Sequence, residues 1–327
     1  MIASTPVGRW TWGRDDRPQR ETLSSLHALL AAWSVLARHQ LAISNPRISV
    51  AVHEAGRANS YLFQGKLEPD AKTPASEIAH QLATEVEAAQ NPGEIGAVYT
   101  DIKISGEVFT GDHVTHENGL FLIGSSAVLD YVSTELVTFS DVWMPYDLKG
   151  RPQHATHAAN APRLSAALRD LSEVLHSEID PDEPTSFAKP TEAGVDNYLK
   201  DDGTGYDVWS SFEVPYRYNQ FTHAPGFGRI GYKRSAAGEV LYIPVTGSRG
   251  VLGYLWASDA EQAASFEPQD VGDNESYQSG LAWLSRLRSA HDRGLSPSEA
   301  LAELTAPLDH EISTIDITSL KELTSGH

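Results

Sequence analysis

Apolar positions along this chain recur with two periods, one helical and one alternating. In TLSSLHALLAAWSVLARHQ, Leu26, Leu30, Trp33 and Ala37, flanked by Leu29 and Leu36, fall at helical spacing and predict an amphipathic helix from Leu23 to His39. Asn45-Pro46-Arg47 breaks it, and ISVAVHEAG and SYLFQGKL then read as a two-stranded hairpin. TPASEIAHQLATEVEAAQNPG has the grammar of a second helix. Thr73 suits the N-cap and Pro74 the first turn, and Asn-Pro-Gly is the stop. IGAVYTDIKISGEVF, GLFLIGS and AVLDYVSTELVTF alternate or run apolar between turn residues, as strands do. SDVWMPYDLKGRPQ is dense in turn formers and marks a boundary. After it, NAPRLSAALRDLSEVLHSEI predicts a helix capped by Asn160 with Pro162 in its first turn.

The remaining pattern is mixed. DPDEPTSFAKPTEAGVDNYLKDDGTGYD reads as a long acidic surface loop, followed by strands around WSSFEVPY, GRIGYKR, EVLYIPV and VLGYLWAS, the last two joined through TGSRG. YQSGLAWLSRLRSAHDRG and SPSEALAEL close the chain as helices. Ser296, Pro297 and Glu299 form a capping box at the start of the second. Hairpins with flanking helices argue for an α+β fold, antiparallel sheets flanked by helices in two related or packed subdomains. The expected division is a polar N-terminal arm over 1–20, one subdomain over 21–150, and a second over 151–327 with a helical C-terminus.

Composition narrows the function classes. The 327 residues contain no cysteine, which removes disulfides, thiolate nucleophiles and Cys-type zinc sites together. Lys and Arg number 25 against 44 Asp and Glu, a net charge of −19. Direct nucleic-acid binding needs clustered cations and is disfavoured. No apolar run is long enough for a bilayer and the N-terminus shows no signal-peptide core, so no membrane association and a cytoplasmic location are expected. An acidic surface serves solubility, and it also steers a basic partner.

Candidate chemistry is sparse. GDHVTHENG places His113 and His116 beside Asp112 and Glu117, and HATHAAN repeats the spacing at His154 and His157. On a helix, three-residue spacing would put two imidazoles on one face, as a metal site wants. The flanking glycines and strand-like neighbours instead favour solvated loop histidines, so neither a metal nor another cofactor is expected. Phosphate-cradling loops, nucleophile elbows and zinc-protease motifs are missing from the sequence. Trp143, Tyr146, Tyr206 and Trp209 stand beside acids in DVWMPYD and GYDVWSSFEVPYRYNQF, the mixture found in interface hot spots. Asp180, Asp182 and Glu183 of the acidic loop are the candidate charges for such a contact. Buried aromatics of this kind also build strand cores.

GVLGYLWASDAEQAASF and GLAWLSRLRSAHDRGLSPSEALAEL resemble uncharacterised proteins of high-GC actinobacteria. Such proteins are often found among polymorphic toxin and immunity genes. The resemblance covers roughly the last hundred residues, carries no catalytic motif and transfers no residue role. Together with the charge it implies an acidic protein-binding protein of the immunity kind, one that occludes a basic toxin or effector. An enzyme of another family, with a cleft between its halves, is the alternative, and apolar helix faces leave room for a homo-oligomer.

Overall fold

A computed structural model of the chain describes residues 1–327 except 16–19, 70–74, 112, 231–235, 237, 249, 307–311 and 316–327. The fold is α+β, with antiparallel sheets of seven, four and two strands. It divides into two compact units, Met1–Trp209 and Ser210–His327.

The first unit contains β1 (Gly8–Asp15), α1 (Glu21–Arg38), β2 (Ile48–Glu54), β3 (Arg57–Leu67), α2 (Ala75–Ala89), β4 (Ile95–Thr110), β5 (His113–Val128) and β6 (Tyr131–Thr138). After them come α3 (His154–Leu175), β7 (Asp180–Pro181), β8 (Ala188–Thr191) and β9 (Gly194–Asn197). The large sheet has the order β3-β2-β4-β5-β6-β1-β7. Alternation puts Val98, Ile102 and Ile104 of β4 under cover while Tyr99 and Lys103 stay exposed. α1 packs on β4, β5 and β6 and is flanked by α2 and α3. Its buried stripe runs through Leu26, Leu29, Leu30, Ala32, Val35 and Leu36, leaving Trp33 and Ala37 half-buried at its margin.

Several boundaries differ from the sequence reading. Residues 1–20 are not simply a polar arm, because β1 lies between β6 and β7 with Trp10 and Trp12 buried. The two tryptophans alternate with Thr11 and Gly13, a strand pattern masked by the neighbouring arginines. The division falls at Trp209, not near Gly150, because α3 returns to cover the same sheet against α1 and β4. α3 begins at His154, so Asn160 sits inside it and is no cap, with Pro162 tolerated in its interior. AVLDYVSTELVTF splits at Leu129 and Asp130 into the end of β5 and all of β6. The caps expected at Thr73 and Pro74 lie outside the described residues.

The second unit holds α4 (Val214–Gln220), β10 (Val240–Gly247), β11 (Gly250–Ser258), β12 (Ala263–Pro268), α5 (Asn274–Asp292), α6 (Pro297–Thr305) and β13 (Ser313–Ile315), with sheet order β12-β11-β10-β13. Phe221, Ile243, Leu255, Phe266, Tyr277, Leu287 and Leu301 form its core. WSSFEVPY is not a strand. Trp209–Glu213 is a π-helical turn that runs into α4 with Pro215 in its first turn. Glu213, Arg217 and Phe221 are buried at four-residue spacing, and Arg217 donates from Nε to Glu213 at 2.6 Å while its guanidinium lies 4.3 Å from the Tyr277 ring centre. A buried ion pair on the inner face conceals the helical period from a hydrophobicity reading. Of the strand expected at GRIGYKR, Gly228 bridges Ala263, and residues 231–235 are outside the described set. The capping box at Ser296 and Glu299 is present as expected.

Candidate functional site

The residues following β6 hold two buried carboxylates, Asp141 and Asp147. Asp141 is fully buried and accepts a hydrogen bond from the Leu148 amide at 3.0 Å. Asp147 accepts from the amides of Lys149 and Arg151, each at 2.9 Å, and from Arg151 Nε at 2.7 Å. Gln153 donates to the carbonyls of Asp141 and Met144. The turn-rich stretch is therefore a rigid plug, because each polar side chain closes a local main-chain bond.

Trp143 and Trp209 belong to this scaffold. Trp143 is 1% exposed, stacks 5.2 Å from Phe121 and donates from Nε1 to Thr138 at 2.8 Å. Trp209 is 3% exposed, and its amide donates to the Leu148 carbonyl. Neither tryptophan presents a face to a partner, which corrects their expected contact role. A large ring near turn residues reads alike as an anchor and as a hot spot until its burial is seen.

The acidic segment from Glu178 to Asp207 is pinned to this scaffold. Thr185 donates to the Val7 carbonyl, the Asp182 amide to that of Arg9, and Trp10 Nε1 to that of Thr191. Tyr198 donates its hydroxyl to Thr185 at 2.8 Å. Asn197 accepts from the Tyr146 amide and donates to the Tyr146 carbonyl, both at 2.9 Å, so one side chain replaces a strand partner. Gly205 passes so close to Tyr146 that an added Cβ would lie 2.8 Å from the tyrosine Cβ. The expected long acidic loop is thus β7, the β8–β9 hairpin and tight turns.

On this frame Asp180, Asp182, Glu183 and Tyr206 are exposed, and Tyr146 is half-buried with its hydroxyl on the Gly203 carbonyl. Asp182 shares Arg9 with Glu135, each 3.7 Å from its Nε. Bonds from the Thr204 side chain and amide hold the Asp202 carboxyl below the usual carboxylate range. The structure adds Glu178, Glu192, Asp196, Asp201 and Asp207, all exposed, and Leu199, which is 51% exposed. Their acidity was legible in the sequence. Their fixed presentation depends on Asn197 and Thr185, whose partners lie far off along the chain.

The histidine pairs resolve differently from one another. His113 and His116 are on β5, where three-residue spacing sends side chains to opposite faces, and His116 lies 3.9 Å from Glu107 across the ribbon. They belong to a strand, not to the expected loop. His154 and His157 open α3, and burial followed by His154 lowers the pKa of His157. Among the described residues no group of three or more His, Asp or Glu side chains is placed to hold a metal ion, and Asp112 lies outside them. None of the described helices is long and apolar enough to cross a membrane. The uncovered sheet face carries an open depression of about 840 Å³ lined by Arg47, Lys66, Lys103, Glu68 and Asp101, a mixture of signs that selects no single charge. Comparison with protein-family models, curated proteins and solved structures finds no match for the chain.

Proposed function

We propose that the protein binds a basic protein partner through the acidic segment of its first unit and acts by occlusion, as an immunity protein neutralises a toxin or effector. One observation carries the reading. Nine acidic residues between Glu178 and Asp207 are all exposed, against Lys189 and Lys200, on a backbone pinned by side chains of the unit. Pinning removes ordering cost at the moment of binding, so the gain from each contact is kept. The field supports the same reading, since the unit has 16 basic and 29 acidic residues, a net −13. Charge of this kind steers encounter, while Leu199 and Tyr206, about half exposed, offer the apolar contact that slows dissociation. The resemblance of roughly the last hundred residues to proteins often found among toxin and immunity genes points in the same direction.

The test is affinity capture from the source cell at low and then high salt, followed by binding kinetics on the captured protein. A basic partner is expected, with an association rate that falls steeply with salt. Neutralising Asp180, Asp182 and Glu183 to Asn, Asn and Gln should slow association, and Tyr206→Ala should speed dissociation. Recovery of only neutral or acidic proteins, or salt-independent association, would reject the reading.

A further inference from the structure

The two edges of the β4–β5 ribbon are treated in opposite ways. On β4, Asn160 accepts from the Phe109 amide at 3.1 Å and donates to the Phe109 carbonyl at 2.7 Å, while Arg163 donates to the Glu107 carbonyl at 2.9 Å. The outward main chain of β4 is thus covered at Phe109 and at the Glu107 carbonyl. Its register pairs Phe109 with Val114 and Glu107 with His116, so these two β5 residues also turn their main chain outward. β6 pairs with β5 only from Phe121 onward, and among the described residues nothing bonds to the outward N–H and C=O groups of Val114 and His116. Both residues are exposed, Val114 at 49%. This stretch of β5 has no Lys, Arg or Pro to guard it, whereas the other long edge, β3, carries Arg57 and Lys66 and a register broken by bulges.

We propose that two copies of this chain associate along that free edge, β5 pairing antiparallel with β5 of the second copy about Thr115. The strand is complementary to itself in this register. Val114 faces His116 of the second copy as a hydrogen-bonded pair, and the two-fold axis repeats it, making four main-chain hydrogen bonds. His113 faces Glu117 of the second copy at a non-hydrogen-bonded position, where opposed side chains approach most closely. An imidazole N–H then donates to a carboxylate on each side of the axis. Moving the axis to Val114 or to His116 keeps main-chain groups opposed, but sets Thr115 against His113 or against Glu117 and loses both His–Glu pairs. The interface is small, so association is weak and concentration-dependent.

Sedimentation of the full chain from about 10 µM to about 1 mM tests this. The weight-average mass should rise above the 35.6 kDa monomer with concentration. V114P removes an outward N–H without touching the β4 ladder and should weaken association by at least about tenfold. E117K should do the same by removing the carboxylate that accepts from His113, and adding H113E to E117K should restore association by placing the carboxylate on the other side of each pair. Far-ultraviolet circular dichroism confirms that each variant is folded. A monomer mass at every concentration, association unaffected by V114P, or a double variant no better than E117K would each overturn the proposal.

Discussion

Two asparagines perform the same task at distant places. Asn197 completes the main chain of Tyr146, and Asn160, fully buried in α3, completes that of Phe109. An amide side chain offers one acceptor and two donors, so it satisfies an exposed strand edge as a neighbouring strand would. Removing it leaves the half-buried donor and acceptor of Phe109 unpaired. Asn160→Ala is therefore expected to lower unfolding free energy by about 2 kcal/mol, measured by denaturant titration. Asn160→Asp should recover only part of this, since it accepts from Phe109 without donating back. A midpoint unchanged in the alanine variant would show the clamp to be dispensable. Asn160 in the sequence resembled a helix cap because Asn before Pro is a common start signal, and only the strand beside it reveals its role.

Among the elements, α1 and α3 are joined at the end of α1. His39 Nε2 lies 2.8 Å from Asp170, while Arg163 donates to the carbonyls of His39 and Gln40. The hydrogen bond from His39, aided by the charges of His39, Arg38 and Arg169, lowers the Asp170 pKa. A carboxyl whose folded pKa is depressed contributes stability above its unfolded value, about 3.9, and loses it as pH falls through the folded value. Asp170→Asn should therefore destabilise the protein at pH 7 but not below the folded pKa, and the two unfolding curves should converge on acidification. Equilibrium unfolding at a series of pH values between neutral and acid checks this. A gap that persists undiminished would assign the effect to packing. At the same scale, α4 shows where periodicity fails as a guide, because its inner face is built from an ion pair as well as aromatics.

For the whole molecule, the charge is uneven between the two units, −13 in the first and −6 in the second. The pinned acidic segment lies wholly in the first. A fragment ending at Trp209, with native circular dichroism, should therefore capture the same basic partner with the same salt dependence as the full chain. Capture that requires residues beyond 209 would move the binding surface out of the acidic segment.

The sequence by itself determined the α+β class, most strands and helices, the capping box at Ser296 and the acidity of residues 178–207. These follow from local patterns, in which period, caps and charge are properties of neighbouring positions. Tertiary structure decided that Trp10 and Trp12 enter a sheet, that Trp143 and Trp209 are scaffold, and that one ribbon edge is closed while the other is open. Each of these depends on a partner far away along the chain: Thr191 for Trp10, Phe121 for Trp143, Leu148 for Trp209, Asn160 for Phe109. Local composition fixes what a residue is able to do, but burial and hydrogen-bond satisfaction depend on what the remainder of the chain brings beside it.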